Sequence, residues 1–299
     1  MQVVIAATGQ IISGANLLSA TLRLDCVPVP ATLEMTAQST PELDAALVVG
    51  AELLVSDPPI SITLVKVQPV KTQTIKDGAR IGGIACLGVL SGCQRLIEPA
   101  SKAIILNDTS LISAMRACGA RMRSGADIAI PKFVCLKGQI PTVEIAKRLQ
   151  QEAAVITMQG NQLAAVKIDA LLKADPVAKY DPSAVAWLDS VALQRLNKRS
   201  FVSIAADGST IENEENQTGL AVSYMPQMDT RQLKNLEKVL IHRGSMMRPL
   251  KMSLSCGDTV LVGGQVFVVL TAAHRTDTGA LGGSSVAATK IWLSNLGVQ

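Results

Sequence analysis

Apolar and polar residues alternate with a period of two through much of the first hundred residues, and this pattern restricts the fold more than any other feature. Such alternation is typical of β-strands that bury one face. The segments that show it are Asn16–Cys26, Thr32–Thr36, Ala51–Ser56, Ile60–Val70 and Arg80–Leu90. Glycines inside the last segment predict the bulges or tight bends that barrels require. We therefore predict a first β-barrel-like domain over residues 1–106.

A similar pattern returns in the last hundred residues. The predicted strands there are Phe201–Ala205, Leu220–Tyr224, Leu250–Leu254, Thr259–Val262, Gln265–Ala272 and Ala287–Leu293. Gly263-Gly264 predicts a hairpin turn, because two-residue turns need positive φ angles that glycine adopts easily. Leu233–Arg243 begins with a helical pattern and ends with a strand pattern. The prediction is a second β-barrel-like domain over residues 199–299.

The region between them, residues 107–198, is helical in part and forms the predicted α+β insert. A short helix is predicted over Leu111–Cys118, since residues suited to an N-cap precede it and Gly119 follows it. A clearer helix is predicted over residues 142–153, capped by Thr142 and carrying an apolar stripe.

A hairpin over residues 154–168 follows this helix, with its turn at Gly160-Asn161. Residues 171–197 read as a connector with one short helix. The predicted fold class is therefore mainly β with an α+β insert: two β-barrel-like domains that flank a small helix-plus-hairpin domain.

The composition indicates a protein that buries much of its surface. Hydrophobic residues make up 48% of the 299 residues and charged residues only 17%, and there are seven aromatic residues (Phe 3, Trp 2, Tyr 2). Disorder is excluded for most of the chain, because disordered proteins combine low hydrophobicity with high net charge. A chain with so few charges has too little polar surface for a monomer whose whole surface faces water. We expect it to be a component of an assembly, buried against partner subunits.

Charge and hydropathy argue against nucleic-acid binding and against a membrane span. The net charge is only +4, with 28 basic and 24 acidic residues spread evenly. The longest apolar runs, Gly82–Cys93 and Val260–Ala273, are shorter than the roughly 20 residues of a spanning helix. The first seven residues lack the basic region of a signal peptide. We expect synthesis in the cytoplasm of the host cell.

A search for catalytic residues finds no constellation above background. The candidate bases are His242 and His274, and His274 is read as a polar residue at the end of a strand, where side chains emerge toward solvent. For both, a polar residue at a strand end or a satisfied interface histidine is the favoured interpretation. The sequence has no G-x-S-x-G elbow, and Gly282-Gly283-Ser284-Ser285 lacks its strand–turn–helix context.

Cofactor and metal motifs are equally weak. Gly9 and Gly14 have the spacing of a phosphate-binding loop, but the residues after them do not match it. Glu212, Glu214 and Glu215 are interpreted as a solvated acidic loop. The six cysteines contain no C-x-x-C pair and are interpreted as small buried hydrophobic residues of a reduced protein: Cys26, Cys86, Cys93, Cys118, Cys135 and Cys256. We predict no enzyme activity, no catalytic or metal residues and no cofactor.

One stretch resembles a known family. Gly138–Ala153, with the hairpin that runs to Ile168, is similar to a module of phage baseplate hub proteins, the late-control-D tail proteins and the valine-glycine repeat spike proteins of type VI secretion. Weaker likeness comes from Gln68–Thr74, Arg199–Ser203 and Leu270–His274. The chain departs from the family after Glu152, where a frequent glycine is replaced by alanine.

The resemblance implies a structural baseplate hub of a phage tail, located in the virion. It implies a homotrimer whose paired barrels form a pseudo-sixfold ring that joins the tail tube to the central spike. The implied partners are tail tube or distal tail proteins, the spike protein and, as a further candidate, the tape measure protein. A tail-associated cell-wall hydrolase and a receptor-binding tail protein are the alternatives.

Overall fold

The computed structural model describes residues 1–76, 79–159, 161–188, 200–205, 207–212, 222–226, 228–281 and 284–296. Within these ranges the strands, in chain order, are β1 (Val3–Ile5), β2 (Gln10–Ile11), β3 (Leu17–Asp25), β4 (Ala31–Gln38), β5 (Glu52–Val55), β6 (Ile60–Lys76), β7 (Ala79–Leu90), β8 (Ile104–Ser110), β9 (Ala129–Cys135), β10 (Ala154–Gln159), β11 (Gln162–Lys167), β12 (Ala178–Tyr180), β13 (Ala186–Trp187), β14 (Ser200–Ile204), β15 (Thr210–Glu212), β16 (Val222–Tyr224), β17 (Leu240–Pro249), β18 (Thr259–Val262), β19 (Gln265–Asp277) and β20 (Val286–Leu296). The α-helices are α1 (Pro41–Ala46), α2 (Leu111–Ala117), α3 (Pro141–Gln151), α4 (Ile168–Leu172) and α5 (Thr230–Glu237). The predicted fold class, mainly β with few helices, is confirmed.

Thirteen strands form one curled main sheet. Its order is β13-β17-β20-β19-β3-β4-β7-β6-β5-β1-β2, and β18 attaches to β19 with β12 parallel beside it. Strands from the first and last hundred residues meet where β19 pairs antiparallel with β3. The sheet is thus continuous between the two regions that the sequence predicts as separate barrel-like domains, and the domain boundaries at residues 106 and 198 stay a prediction.

One face of the main sheet forms the core, and the alternation in the sequence explains why. A buried row crosses five strands at directly paired positions, which place their side chains on the same face. The row runs from His274 through Leu22, Leu33 and Gly88 to Leu64. Its two central leucines are fully buried. The core continues from this row into α1, α2, α3 and the β10–β11 hairpin.

The hairpin of the insert is confirmed, and the start of its helix is corrected. β10 and β11 pair in register from Ala154 opposite Lys167 to Gln159 opposite Gln162; Gly160 lies outside the described residues. The helix α3 begins at Pro141, one residue before the predicted cap Thr142, and no side chain caps it. Proline suits this first position because its φ angle is preset and its missing N–H has no partner there.

The backbone at the junction after α3 favours glycine, although this chain has alanine there. Ala153 has a φ of 45°, in the left-handed region that glycine adopts without strain. The frequent glycine of the family therefore matches the backbone here, although this chain has alanine.

The strand predicted over Leu250–Leu254 is wrong, whereas the predicted connector does contain a short 3-10 helix, Pro182–Ala184. Leu250–Leu254 is a series of turns, since β17 ends at Pro249 and the backbone N–H of Lys251 donates to Thr289 Oγ1 at 2.8 Å. The predicted connector holds the short strands β12 and β13, which join the main sheet. Strands of two or three residues are too short to show periodicity. Residues 189–199 lie outside the described ranges.

A second, smaller unit lies between the connector and β17. It consists of the three-stranded sheet β15-β14-β16 and the helix α5. Phe201, Met228 and Leu233 form its own small core, separate from the main core. The helix begins with a capping box in which Asp229 and Gln232 hydrogen-bond reciprocally.

Candidate functional site

The two histidines serve the fold. His274 lies in β19 and is fully buried, so the prediction of a solvent-facing strand end is wrong. Its Nε2 is 3.0 Å from the carbonyl oxygen of Leu254, and its Nδ1 is 2.9 Å from the hydroxyl of Thr289. Burial lowers the pKa of the His274 imidazole, so it is neutral at pH 7. His242 in β17 is half-buried, with Nε2 3.0 Å from Gly244 O.

The glycines and the glutamate considered for chemistry lie in separate parts of the described chain. Gly9 and Gly14 lie in exposed turns, Glu212 ends β15, and Glu214 and Glu215 lie outside the described residues. Gly282 and Gly283 also lie outside them. All six cysteines are buried and free. Among the described residues, no three His, Cys, Asp or Glu side chains form a group that could hold a metal ion.

Among the described residues, two long strands of the main sheet have one edge that is only partly covered. β6 pairs with β7 along most of its length, but β5 covers its other side only over Ile60–Thr63. Val65–Val70 therefore has one side without a pairing strand among the described residues. At the opposite end, β13 covers β17 only at Gly244 and Ser245, so Met246–Pro249 is open in the same way. Such edges carry unpaired backbone groups that can pair with another chain.

The β17 edge is apolar. Met247 is the most exposed large hydrophobic residue in the described part of the chain, at 65% exposure. Trp187 and Leu188, at the end of β13, are nearly half exposed. Trp187 stacks obliquely on Phe267, with ring centroids 5.5 Å apart. Exposed Met and Trp beside a free edge are features of interaction surfaces.

The face of the main sheet opposite the core is polar. A row at directly paired positions crosses five strands, from Arg275 through Thr21, Glu34 and Leu87 to Lys66. The five residues line a groove of about 490 Å³. Both charge signs alternate along the row, so this face attracts neither anions nor cations strongly.

Ion pairs within single strands fix charges on the same face. Arg23 Nε lies 2.7 Å from Asp25 in β3, and Arg275 lies 2.8 Å from Asp277 in β19. The Arg275 side chain and the Gly279 N–H both donate to the Asp277 carboxylate and lower its pKa. This face is therefore charge-balanced, with both signs of charge along it.

A buried carboxylate joins the small unit to the insert. Glu152, at the end of α3, is 2% exposed and accepts hydrogen bonds from both terminal nitrogens of Arg231 in α5, at 2.6 and 2.9 Å. Lys167 of β11 donates to it at 2.8 Å. Burial raises the pKa of Glu152, but the hydrogen bonds from Arg231 and Lys167 outweigh it and lower the pKa below its usual value.

No helix in the described ranges has both the length and the apolar character needed to cross a bilayer. The edges and the salt-bridged carboxylate were missed by sequence reasoning. Strand alternation shows which residues share a face, but an open edge can be recognised only once the order of the strands is known. Glu152 and Arg231 lie 79 residues apart, so no local pattern in the sequence links them.

No family model and no curated protein matches this sequence. Solved structures match it in fold. The tail protein from Neisseria meningitidis MC58 is 10% identical with a TM-score of 0.65, and the match covers 98% of this chain and 95% of that one. The 43 kDa tail protein of prophage MuSo2 from Shewanella oneidensis is 10% identical with a TM-score of 0.64, over 98% and 97%.

A third match is the c3393 protein of E. coli, described as a component of the type VI secretion system with structural similarity to the T4 bacteriophage tail proteins gp27 and gp5. It is 7% identical with a TM-score of 0.57, and the match covers 98% of this chain and 76% of that one. At such low identity the likeness concerns the fold. The chain has the fold of these phage tail and type VI secretion proteins, as the resemblance at Gly138–Ile168 implied.

Proposed function

We propose that this protein is a structural component of a phage-type tail or baseplate: a hub that assembles as a homotrimer and joins the tail tube to a central spike. The observation that carries the proposal is the main sheet, with two different open edges and one uncovered, charge-balanced face. The fold shared with tail proteins supports the same role.

The edges support a ring. The β6 edge at Val65–Val70 and the β17 edge at Met246–Pro249 lie at different places in the sheet order. When one edge of a copy pairs with the other edge of the next copy, the contact is head-to-tail, and repetition closes a cyclic ring where the rotation between copies completes a full turn. Pairing also satisfies the free backbone groups and buries Met247.

The resemblance to baseplate hub proteins, rather than the sheet itself, implies threefold closure with six lobes. Each chain contributes strands from its first and last hundred residues, joined at β3 and β19. Three copies therefore present six such regions around an axis. In this ring, the charge-balanced face with Thr21, Glu34 and Arg275 lines the axial channel. Because this face attracts neither anions nor cations strongly, the contents of a tail can pass through the channel.

The proposed role is not enzymatic. The imidazole of His274, the natural general base, has both nitrogens engaged by Thr289 and Leu254 inside the core. A group in that position has no route to a substrate proton. Location in a virion, with tail tube, spike and tape measure proteins as partners, follows from the same proposal.

Light scattering coupled to size-exclusion chromatography, with electron microscopy of the peak, tests the proposal. We expect three copies in a six-lobed ring. Met247→Lys places a charge at the β17 edge and shifts the protein toward smaller species, whereas Val143→Lys, at a 49% exposed residue of α3, leaves the ring intact. A compact monomer at high protein concentration would overturn the proposal of a trimeric hub. A ring that Met247→Lys leaves unchanged overturns the edge pairing.

A further inference from the structure

Two cysteines far apart in the sequence meet beside one residue of β19. Cys26 directly follows β3, and Cys256 directly precedes Gly257 in the turn before β18. The Cys26 thiol is 3.7 Å from the carbonyl oxygen of Val269, and the Gly257 N–H donates to the same oxygen at 2.8 Å. The two cysteines therefore flank a single carbonyl group.

The backbone around this site is fixed on both sides. The Cys26 N–H donates to Leu270 O at 3.0 Å, and the Val269 N–H donates to Asp258 O at 2.8 Å. These bonds hold the segments of both cysteines against the irregular part of β19, where the pairing with β20 shifts register between Val269 and Thr271. Neither segment can drift without breaking main-chain hydrogen bonds.

Both cysteine side chains are shielded from solvent. Cys26 is 9% exposed and Cys256 is 1% exposed, and both belong to the main core. A hydrogen bond with Cys256 raises the pKa of the Cys26 thiol well above its usual value, and burial raises it further. The Cys26 thiol is therefore a weak nucleophile at neutral pH, and Cys256 is its thiol neighbour.

We propose that Cys26 and Cys256 form a disulfide when the folded protein meets an oxidant. The bond would tie the end of β3 to the turn before β18, and so clamp the junction at which β3 and β19 join the two halves of the main sheet. The inference goes beyond the hub role, and the pair can be oxidised whether or not the chain forms a ring. A protein that leaves a reducing cell with its virion meets such an oxidant, and that part rests on the proposed function.

The chemistry needs a two-electron oxidant, for which diamide is the probe. One thiolate adds to the N=N bond of diamide and forms a sulfur–nitrogen bond. The second thiolate attacks that sulfur, the sulfur–nitrogen bond breaks, and the disulfide forms. Diamide leaves as the hydrazine with both electrons and two protons. Since the thiolate is the attacking species, the reaction is faster at higher pH.

The test is thiol counting and peptide mapping of the folded protein after diamide treatment. We expect the free thiols per chain to fall from six to four. Trypsin under non-reducing conditions then releases the peptide of residues 24–66 joined to that of residues 252–275, lighter by two hydrogen atoms than their sum. Each peptide contains a single cysteine, so the product identifies the pair. The oxidised protein also has a higher melting temperature, because the cross-link closes a long loop.

Matched variants separate this pair from the others. Cys26→Ser and Cys256→Ser each abolish the joined peptide, and circular dichroism confirms that they fold; Cys86→Ser retains it. Cys118 and Cys135 also lie in hydrogen-bonding contact, within the insert. A protein that keeps six thiols at high pH, or that links only Cys118 to Cys135, overturns the proposal.

Discussion

At the residue scale, His274 shows how a polar side chain becomes part of a core. The carbonyl of Leu254 accepts a hydrogen bond, so Nε2 carries the proton and Nδ1 accepts from the Thr289 hydroxyl. That hydroxyl in turn accepts from the Lys251 N–H at 2.8 Å. The chain of bonds anchors the turns 250–254, which the sequence pattern alone suggested as a strand.

The buried imidazole makes stability depend on pH. Its pKa is lowered in the folded protein, so below the unfolded value of about 6.5 the unfolded chain binds a proton that the folded chain resists. Folding free energy is therefore lost as pH falls from about 6.5 toward the lowered pKa. We expect His274→Asn to cost about 1–3 kcal/mol near neutral pH and to flatten this loss.

Urea denaturation at a series of pH values measures both effects. Thr289→Ser keeps a hydroxyl beside the imidazole and should retain the pH dependence of the wild type. Equal pH slopes for the wild type and His274→Asn would contradict the assignment.

At the element scale, close packing of strands decides where glycine is required. Gly88 in β7 faces Leu64 of β6, next to the register shift between Leu64 and Lys66. A Cβ at residue 88 would lie 2.4 Å from the Ile62 side chain and 3.2 Å from the backbone oxygen of Thr63. The sequence predicted strand glycines at bends. At residue 88, however, glycine is required because the neighbouring strand leaves no space for a Cβ atom.

Gly88→Ala tests this packing. The added methyl forces β6 and β7 apart, and we expect a loss of about 1–3 kcal/mol in unfolding free energy. Gly14→Ala is the control, because a Cβ there meets nothing within 4 Å and the φ angle is ordinary. Chemical denaturation compares them, and similar losses in both variants would show that residue 88 has room for a side chain.

At the scale of the whole molecule, polar contacts hold the small unit of α5 to the insert. Beside the bonds from Arg231 to Glu152, Asn235 Nδ2 donates to Gln151 O at 2.9 Å and Lys238 lies 2.5 Å from Asp169. The unit has its own small core, so these contacts carry much of its attachment.

Glu152→Gln should loosen this attachment. Arg231 and Lys167 lose their shared carboxylate, and since both are about half exposed we expect a cost of about 1–3 kcal/mol. In the wild type, the lowered pKa of Glu152 means that its contribution is present above about pH 4.3 and is lost as pH falls through the folded pKa.

Hydrogen exchange of the α5 amides measures the loosening. Glu98→Gln, which breaks the exposed pair with Arg95, is the control and should change exchange by less than about 0.5 kcal/mol. If α5 exchanges at the same rate in Glu152→Gln as in the control, the carboxylate does not hold the unit.

Patterns in the sequence predicted many of the local elements. Alternation predicted β3 and β4, the glycine pair predicted the β18–β19 hairpin, and the apolar stripe predicted α3, because each of these signals lies within a few residues along the chain. Burial of the six cysteines followed from their apolar neighbours. The small edge strands β12 and β13 left no signal, since they are too short to show a period.

Which elements meet depends on the folded chain as a whole. The pairing of β3 with β19, the contact of Cys26 with Val269 and the bonds of Arg231 to Glu152 join residues that are 79 to more than 240 apart. Side-chain periodicity specifies which face of a strand is buried but not which strand lies beside it. The open edges and the junction of β3 with β19 therefore exist only in the folded sheet, because hydrogen bonding and burial between distant segments are properties of the folded chain.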